Sequence, residues 1–155
     1  MKSILRKAER KDERQILELV AEVLKDFGLS IDPEGIDKDL SDLDKYYFNN
    51  NGWFSVITND EDTIIGCCGV FKTDATSCEL RKMYVLNNYQ GQGLGKMLLE
   101  SSLEKAKGLG YKEMTLESNF LLYKANDMYK KVGFVQYQPG NLCGRCDYAM
   151  KKQLQ

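Results

Sequence analysis

A glycine-rich segment stands where an apolar, β-prone run ends and an amphipathic helix pattern begins. The segment reads Gln90-Gly91-Gln92-Gly93-Leu94-Gly95, and Lys96 follows it. Glycines let the main chain take unusual φ angles and approach a ligand closely. Several N–H groups can then converge on anionic oxygens at the positive end of a helix dipole. The segment therefore predicts an anion-binding turn, and a tight strand–helix turn without a ligand is the alternative.

The spacing of these glycines excludes two common phosphate-binding motifs. A P-loop ends in Gly-Lys-Ser/Thr, and placing that ending at Gly95-Lys96 puts Gln90 and Met97 where a glycine and a hydroxyl residue are required. The dinucleotide fingerprint Gly-x-Gly-x-x-Gly carries Lys96 or Leu98 at its last glycine, depending on the frame. What remains is Gln-x-x-Gly-x-Gly, which begins at Gln90.

Length and composition predict one globular domain over residues 1–155. The chain has 43% hydrophobic and 29% charged residues and a formal net charge of −1 at pH 7. Such a balance gives no global field that would attract nucleic acid or an anionic membrane. No apolar run reaches the length of a membrane span, and the first residues lack the apolar core of a signal peptide. A cytoplasmic protein is the expectation.

The cysteine and histidine counts restrict the chemistry. Five cysteines are an odd number, so the cysteines, including the pair Cys143 and Cys146, are expected to be reduced, small core residues. The chain contains no histidine, which rules out mixed Cys/His zinc sites, and no metal is expected. Any general base must then be a carboxylate, Tyr, Lys, Cys or a relayed water.

Periodicity predicts an α/β sandwich with a mixed sheet and helices on both faces. A helix should begin near Asp12, a candidate N-cap, and stop before Gly28; a second short one should cover 39–48. Longer helical patterns follow the glycines up to Gly108 and cover 121–132. Strands are expected at 4–7, 53–58, 63–71, 78–86, 111–117, 134–137 and 147–150.

The stretch 79–100, ELRKMYVLNNYQGQGLGKMLLE, resembles the acetyl-CoA-binding motif of the GNAT N-acetyltransferase superfamily. LESNFLLYKANDMYKKVGF, residues 116–134, is similar to that family's following strand and its helix ending in Tyr-x-x-x-Gly-Phe. The upstream hairpin and the closing segment RCDYAM also fit, so the resemblance spans nearly the whole chain. It implies a single-domain GNAT-like sandwich with a mostly antiparallel sheet. It also implies a splay between the motif strand and the next strand.

The resemblance implies where acetyl-CoA would bind. Main-chain N–H groups of Gln90, Gly91, Gln92, Gly93, Leu94, Gly95 and Lys96 would hold the pyrophosphate. The pantetheine arm would lie in the splay beside Met83, Tyr84 and Val85, with the amide of Val85 or of its neighbour aimed at the thioester carbonyl. Asn119 is a further candidate contact, or a cap of the next helix.

The resemblance also suggests catalytic residues. Tyr129, in the Tyr-x-x-x-Gly-Phe helix, is the candidate general acid toward the CoA sulfur; packing beside Phe134 is the alternative. Glu79 is the first candidate base because glutamates on this strand serve that role in the family, and Glu117 follows. Each of them could equally be a solvated carboxylate at a strand end.

The expected activity is transfer of acetyl from acetyl-CoA to a primary amine of an unidentified small molecule or peptide, in a ternary complex. The alternative is a non-catalytic acyl-CoA-binding sensor. Because dimers are frequent in the family that the chain resembles, the resemblance also implies a homodimer as one state of assembly. Around the connection between the first two predicted helices lies an acidic region, which either lines the entrance of an amine-binding site or faces solvent. The solvent-facing arrangement is the preferred interpretation. The region contains Asp26, Asp32, Asp37, Asp39, Asp42 and Asp44.

Overall fold

The computed structural model describes residues 2–154. Within them seven strands form one sheet: β1 (Ile4–Lys7), β2 (Trp53–Thr58), β3 (Ile64–Lys72), β4 (Ser77–Val85), β5 (Glu113–Ser118), β6 (Val135–Tyr137) and β7 (Tyr148–Gln153). The helices are α1 (Glu13–Asp26), the single turn α2 (Leu43–Tyr46), α3 (Leu94–Gly108) and α4 (Tyr123–Lys131), joined in places by 3₁₀ turns. The predicted α/β sandwich is confirmed.

The strand order is β1-β2-β3-β4-β5-β7-β6, and every neighbouring pair is antiparallel except β4 and β5. The helix α3 makes the crossover between these two parallel strands, as parallel pairs require. No helix of the described residues has the length and apolarity needed to cross a bilayer.

Two hydrophobic cores lie on opposite faces of the sheet because successive strand residues point to opposite sides. Val56 packs with the buried face of α1, whereas its neighbour Ile57 packs with α3 and α4. The adjacent cysteines also lie in different cores: Cys67 is in the core of Val56, and Cys68 is in the core of Ile57. Both are buried free thiols. Helices therefore cover both faces, and β4 runs between the two layers.

The sheet opens between β4 and β5. The two strands pair only from Ser77 opposite Glu113 to Glu79 opposite Thr115, although both continue beyond that point. The register between β3 and β4 also shifts, and Lys82 adopts a left-handed φ of 56° there. An extra residue in one strand bends it and increases its twist. The bulge thus turns the second half of β4 away from β5, and the predicted splay is confirmed.

Two local predictions were wrong in detail. The second helix, expected over 39–48, is one α-turn between two 3₁₀ turns, because Asp42 is extended (φ −158°) and caps α2 with its side chain. Asp12 occupies the N-cap position of α1, but its carboxylate does not cap that helix. It instead binds the Arg6 guanidinium through two bonds of 2.8 and 2.9 Å.

Candidate active site

A cavity of about 410 Å³, called the larger cavity below, lies at the splay. Its walls are the second half of β4 (Met83, Tyr84, Val85), the glycine-rich turn and the start of α3. The α4 residues Ala125, Met128 and Tyr129 close the far side. Almost all of the residues assigned to acetyl-CoA from the sequence are thus brought to one cleft.

The glycine-rich turn presents unpaired donors to this cleft. Gly91 and Gly93 have φ angles of 79° and 81°, and open space surrounds the position of an added Cβ at either one. Gly93 is the N-cap of α3, so the first N–H groups of that helix have no partner within it. Successive amides in such a left-handed turn form a concave anion site. The turn therefore provides the donor geometry that a diphosphate requires.

Gln90 closes the turn instead of offering a free amide. Its N–H donates to the Asn87 carbonyl (3.3 Å), and its side-chain amide donates to the Val85 carbonyl (3.1 Å). Gly95 serves packing, because a Cβ there would lie 3.1 Å from Met128 Cε of α4. The amides that remain candidates for binding an anion are accordingly those from residue 91 onward.

The main chain of Val85 points its N–H into the splay. Leu86 N–H donates to the Ile65 carbonyl (2.9 Å), and Val85 lies opposite Gly66 in the next position of the same antiparallel ladder. Hydrogen-bonded and non-hydrogen-bonded pairs alternate along such a ladder, so Val85 directs its polar groups away from β3. A main-chain donor is thereby left on the side of β4 that faces away from β3, in a residue that lines the larger cavity.

Tyr129 lies at the inner end of the larger cavity. It is 6% exposed and packs edge-on against Phe134, with ring centroids 5.8 Å apart. Burial raises the pKa of its hydroxyl well above 10, and the nearby Cys68 and Tyr84 act in the same direction. The hydroxyl therefore stays protonated and keeps its hydrogen available as a donor. Tyr129 thus packs beside Phe134 and also lines the cavity, and its role as general acid stays a prediction.

A smaller cavity, about 330 Å³, lies along the first half of β4. Its walls include Glu79, Arg81 and Lys82 of β4, Glu117 of β5 and the segment 143–146. Tyr84 lines both cavities. The two cavities therefore both border β4, the strand that separates from β5.

Both candidate bases, Glu79 and Glu117, line the smaller cavity, but in different surroundings. The Glu79 carboxylate is bound by the Arg81 guanidinium, whose plane stacks on the Phe71 ring 3.6 Å from the centroid. The Glu117 carboxylate accepts the Cys143 N–H at 2.6 Å. Burial raises the pKa of Glu117, and repulsion from Glu79 adds to the rise.

A buried ion network forms the wall behind these carboxylates. Lys82 Nζ lies 3.2 Å from both Asp37 Oδ1 and Asp39 Oδ1, and the two aspartates are 0% and 4% exposed. Arg145 donates two bonds of 2.7 Å to Asp37, and Tyr47 donates its hydroxyl to Asp39. The preferred prediction of solvent-facing acidic residues is wrong for this pair. Their cationic partners, Lys82 and Arg145, lie 43 to 108 residues away in sequence, so no local pattern could indicate these ion pairs.

The cysteine prediction also needs correction. Cys143 and Cys146 form a disulfide, whereas Cys67, Cys68 and Cys78 are free and buried as expected. Glu117 and these two sulfurs lie within 4.8 Å of one another. As a disulfide the sulfurs are not thiolates, so the cluster does not provide the ligands that a metal would need.

Two residues assigned to acetyl-CoA do not line the larger cavity. Gln92 is exposed on the turn beside it. Asn119 uses its side chain within the protein: it accepts the Leu121 N–H (2.8 Å) and donates to the Arg145 carbonyl (2.8 Å). Its position is that of the capping alternative.

This architecture, an anion-binding turn beside a split sheet, defines a class of acyl-CoA-binding folds, and comparisons identify the family. A family model described as an acetyltransferase (GNAT) domain matches residues 50–136. The chain belongs to the GNAT acetyltransferase family, so the prediction of an N-acetyltransferase that uses acetyl-CoA is confirmed.

Individual relatives agree with this assignment. An uncharacterised N-acetyltransferase of Schizosaccharomyces pombe is 29% identical over 122 residues, which cover 78% of this chain and 75% of that protein. A GNAT-family acetyltransferase structure from Staphylococcus aureus aligns with a TM-score of 0.93 at 21% identity, over 99% of this chain and 100% of that one. The PaiA N-acetyltransferase of Thermoplasma acidophilum, solved with coenzyme A, gives 0.74 at 22% identity, over 99% of each chain.

Proposed function

We propose that this protein transfers an acetyl group from acetyl-CoA in the larger cavity to a primary amine in the smaller cavity, by direct attack in a ternary complex. The observation that carries this proposal is that β4 lines both cavities in succession. Glu79 to Lys82 line the smaller one, Met83 to Val85 line the larger one, and Tyr84 belongs to both. A thioester bound in the splay and an amine bound in the smaller cavity would then lie beside the same strand, β4.

Acetyl-CoA would be held by main-chain groups. The amides from Gly91 to Lys96 would bind the diphosphate, and the pantetheine arm would occupy the gap beyond Glu79 where β4 and β5 no longer pair. Coenzyme A in the Thermoplasma acidophilum relative supports this choice of ligand. The Val85 N–H would donate to the thioester oxygen as negative charge develops, and one such donor is worth about 3–4 kcal/mol of barrier.

Glu117 is the better base of the two glutamates, which reverses the order that the sequence suggested. An amine must lose a proton before or during attack, and a carboxylate with a raised pKa holds that proton more readily. Glu79 is engaged by Arg81, and its charge strengthens the proton affinity of Glu117. Glu117 would take the proton directly or through one water.

Tyr129 would complete the reaction as a hydrogen-bond donor to the departing sulfur. Its raised pKa keeps the hydroxyl protonated, and its ring lines the cavity that would hold the pantetheine arm. As the C–S bond breaks, the sulfur would take the hydroxyl proton of Tyr129 and leave as the free thiol of CoA, and Tyr129 would regain a proton from solvent.

The experiment is acetyl-CoA consumption followed by chromatography over a panel of amino acids, polyamines and short peptides with free N-termini. The proposal expects at least one primary amine to be acetylated with equimolar CoA release. Tight binding of CoA without acetylation of any amine would instead support the sensor alternative.

A further inference from the structure

We propose that the Cys143–Cys146 disulfide is a thiol–disulfide exchange site that holds the loop 138–147 against the smaller cavity. The proposal rests on the assignment of that cavity to the amine. The loop connects β6 to β7 and contains neither a helix nor a strand, so its conformation depends on a few specific contacts. The disulfide lies among those contacts.

The loop is attached to two different elements of the fold by residues that line the smaller cavity. Cys143 donates its N–H to Glu117 on β5 at 2.6 Å, and Arg145 binds Asp37 on the α1–α2 connection through two bonds of 2.7 Å. The Arg145 carbonyl also accepts the Asn119 side-chain amide at 2.8 Å. The disulfide closes a ring around the segment that carries these contacts. It therefore fixes the direction of the Cys143 N–H relative to the Arg145 side chain.

A reductant can reach this bond. Cys143 and Cys146 are both partly exposed and line the solvent-open smaller cavity, whereas Cys67, Cys68 and Cys78 are buried. Burial raises the pKa of these three thiols, which keeps them in the less reactive thiol form. Exchange chemistry is thus confined to one site of the described residues.

The exchange step is balanced with a dithiol reductant. Its thiolate attacks one protein sulfur, forms a mixed disulfide and releases the other sulfur as a thiol. The second thiol of the reductant resolves the mixed disulfide. The protein ends with two thiols, having gained two electrons and two protons, and the reductant ends as a cyclic disulfide.

After reduction, the segment 143–146 keeps one internal backbone hydrogen bond, which the Cys146 N–H donates to the Cys143 carbonyl at 3.0 Å. The Cys143 N–H is then free to leave Glu117, and the wall of the smaller cavity loosens. None of residues 138–147 lines the larger cavity, so binding of acetyl-CoA should be insensitive to the redox state.

The test is amide hydrogen exchange measured by mass spectrometry on the full chain before and after dithiothreitol. Exchange at the peptide containing Cys143 should become at least tenfold faster on reduction, while the β7 peptide keeps its rate. The matched variant Cys143→Ser/Cys146→Ser should exchange fast in both conditions. The acetyl-CoA Kd should stay within twofold throughout.

Equal exchange at Cys143 in the oxidised and reduced wild-type protein would overturn the inference, and this comparison needs no variant to fold. A response to dithiothreitol that persists in the double variant would also overturn it, because the buried cysteines would then be responsible. If no amine of the panel were acetylated, the proposed function would be contradicted. The hydrogen-exchange measurement would still test whether the disulfide holds the loop 138–147 in place.

Discussion

Glu79 and Glu117 line one cavity at the point where β4 and β5 separate, and the charge of Glu79 contributes to the raised pKa of Glu117. The two residues belong to neighbouring parallel strands whose pairing ends at Glu79 opposite Thr115. The Glu79 carboxylate is bound by Arg81, whereas Glu117 accepts a main-chain N–H and has a raised pKa. The two glutamates are therefore expected to have different roles in the reaction.

Glu117→Gln should lower kcat/KM about 10²-fold at neutral pH, since it removes a general base. Glu79→Gln is the matched control, and we expect a smaller loss there. In the wild-type protein the acid limb of kcat/KM should lie above pH 4.5, because the base must be deprotonated and its pKa is raised. Equal losses in both variants would contradict the assignment of the base to Glu117.

Glu117→Gln should also stabilise the fold at neutral pH. A carboxyl whose pKa is raised on folding binds more protons in the native state, so stability falls as pH rises from 4.5 through the folded pKa. The amide keeps an acceptor for the Cys143 N–H but carries no charge. Thermal unfolding should show a higher Tm for the variant at pH 8 and no advantage at pH 4. A lower Tm at pH 8 would show that the charge is favourable in the fold.

Tyr129→Phe should lower kcat about 10²-fold while leaving the acetyl-CoA Kd nearly unchanged, because only the donor to sulfur is lost. Tyr89→Phe is the control: Tyr89 also lines the larger cavity, but its hydroxyl accepts a bond from Asn59 at 3.1 Å. Steady-state kinetics and calorimetry measure the two quantities. Wild-type turnover in Tyr129→Phe would remove this residue from the mechanism.

Gly93→Asp should weaken acetyl-CoA binding about 10³-fold, since a charge about 4 Å from the diphosphate costs about 4 kcal/mol at a surface site. Gly93→Asn is the matched control. Asparagine is isosteric, uncharged and tolerant of the left-handed φ of 81°, so the loss should stay within about tenfold. Equal affinities for the two folded variants would exclude an anion at this turn.

Lys82→Met should destabilise the fold by about 3 kcal/mol, because it leaves the buried Asp37 and Asp39 short of a cation. Methionine has to adopt the same left-handed φ as lysine, so backbone strain changes little. Lys107→Met, at an exposed pair with Glu104, should change stability by less than about 0.5 kcal/mol. Urea unfolding measures both, and a loss below about 1 kcal/mol at Lys82 would contradict the network.

The sequence predicted the features that local patterns encode. β1 and β2 have the expected bounds. Gly93, which belongs to the glycine-rich segment expected between a strand and a helix, is the N-cap of α3. The ion network around Asp37 was not predictable, since its cationic partners come from distant segments. The Cys143–Cys146 disulfide was missed because an odd cysteine count does not tell which sulfurs become neighbours.

The central claim is that main-chain amides from Gly91 to Lys96 cradle a diphosphate and thereby place the acetyl group beside the Val85 N–H. Titration of ¹⁵N-labelled protein with CoA and then with acetyl-CoA tests it most directly. Both ligands should shift the amides of Gly91 and Gly93, and the Val85 amide should differ between them. Unperturbed glycine amides at saturating CoA, or shifts confined to the smaller cavity, would contradict the account.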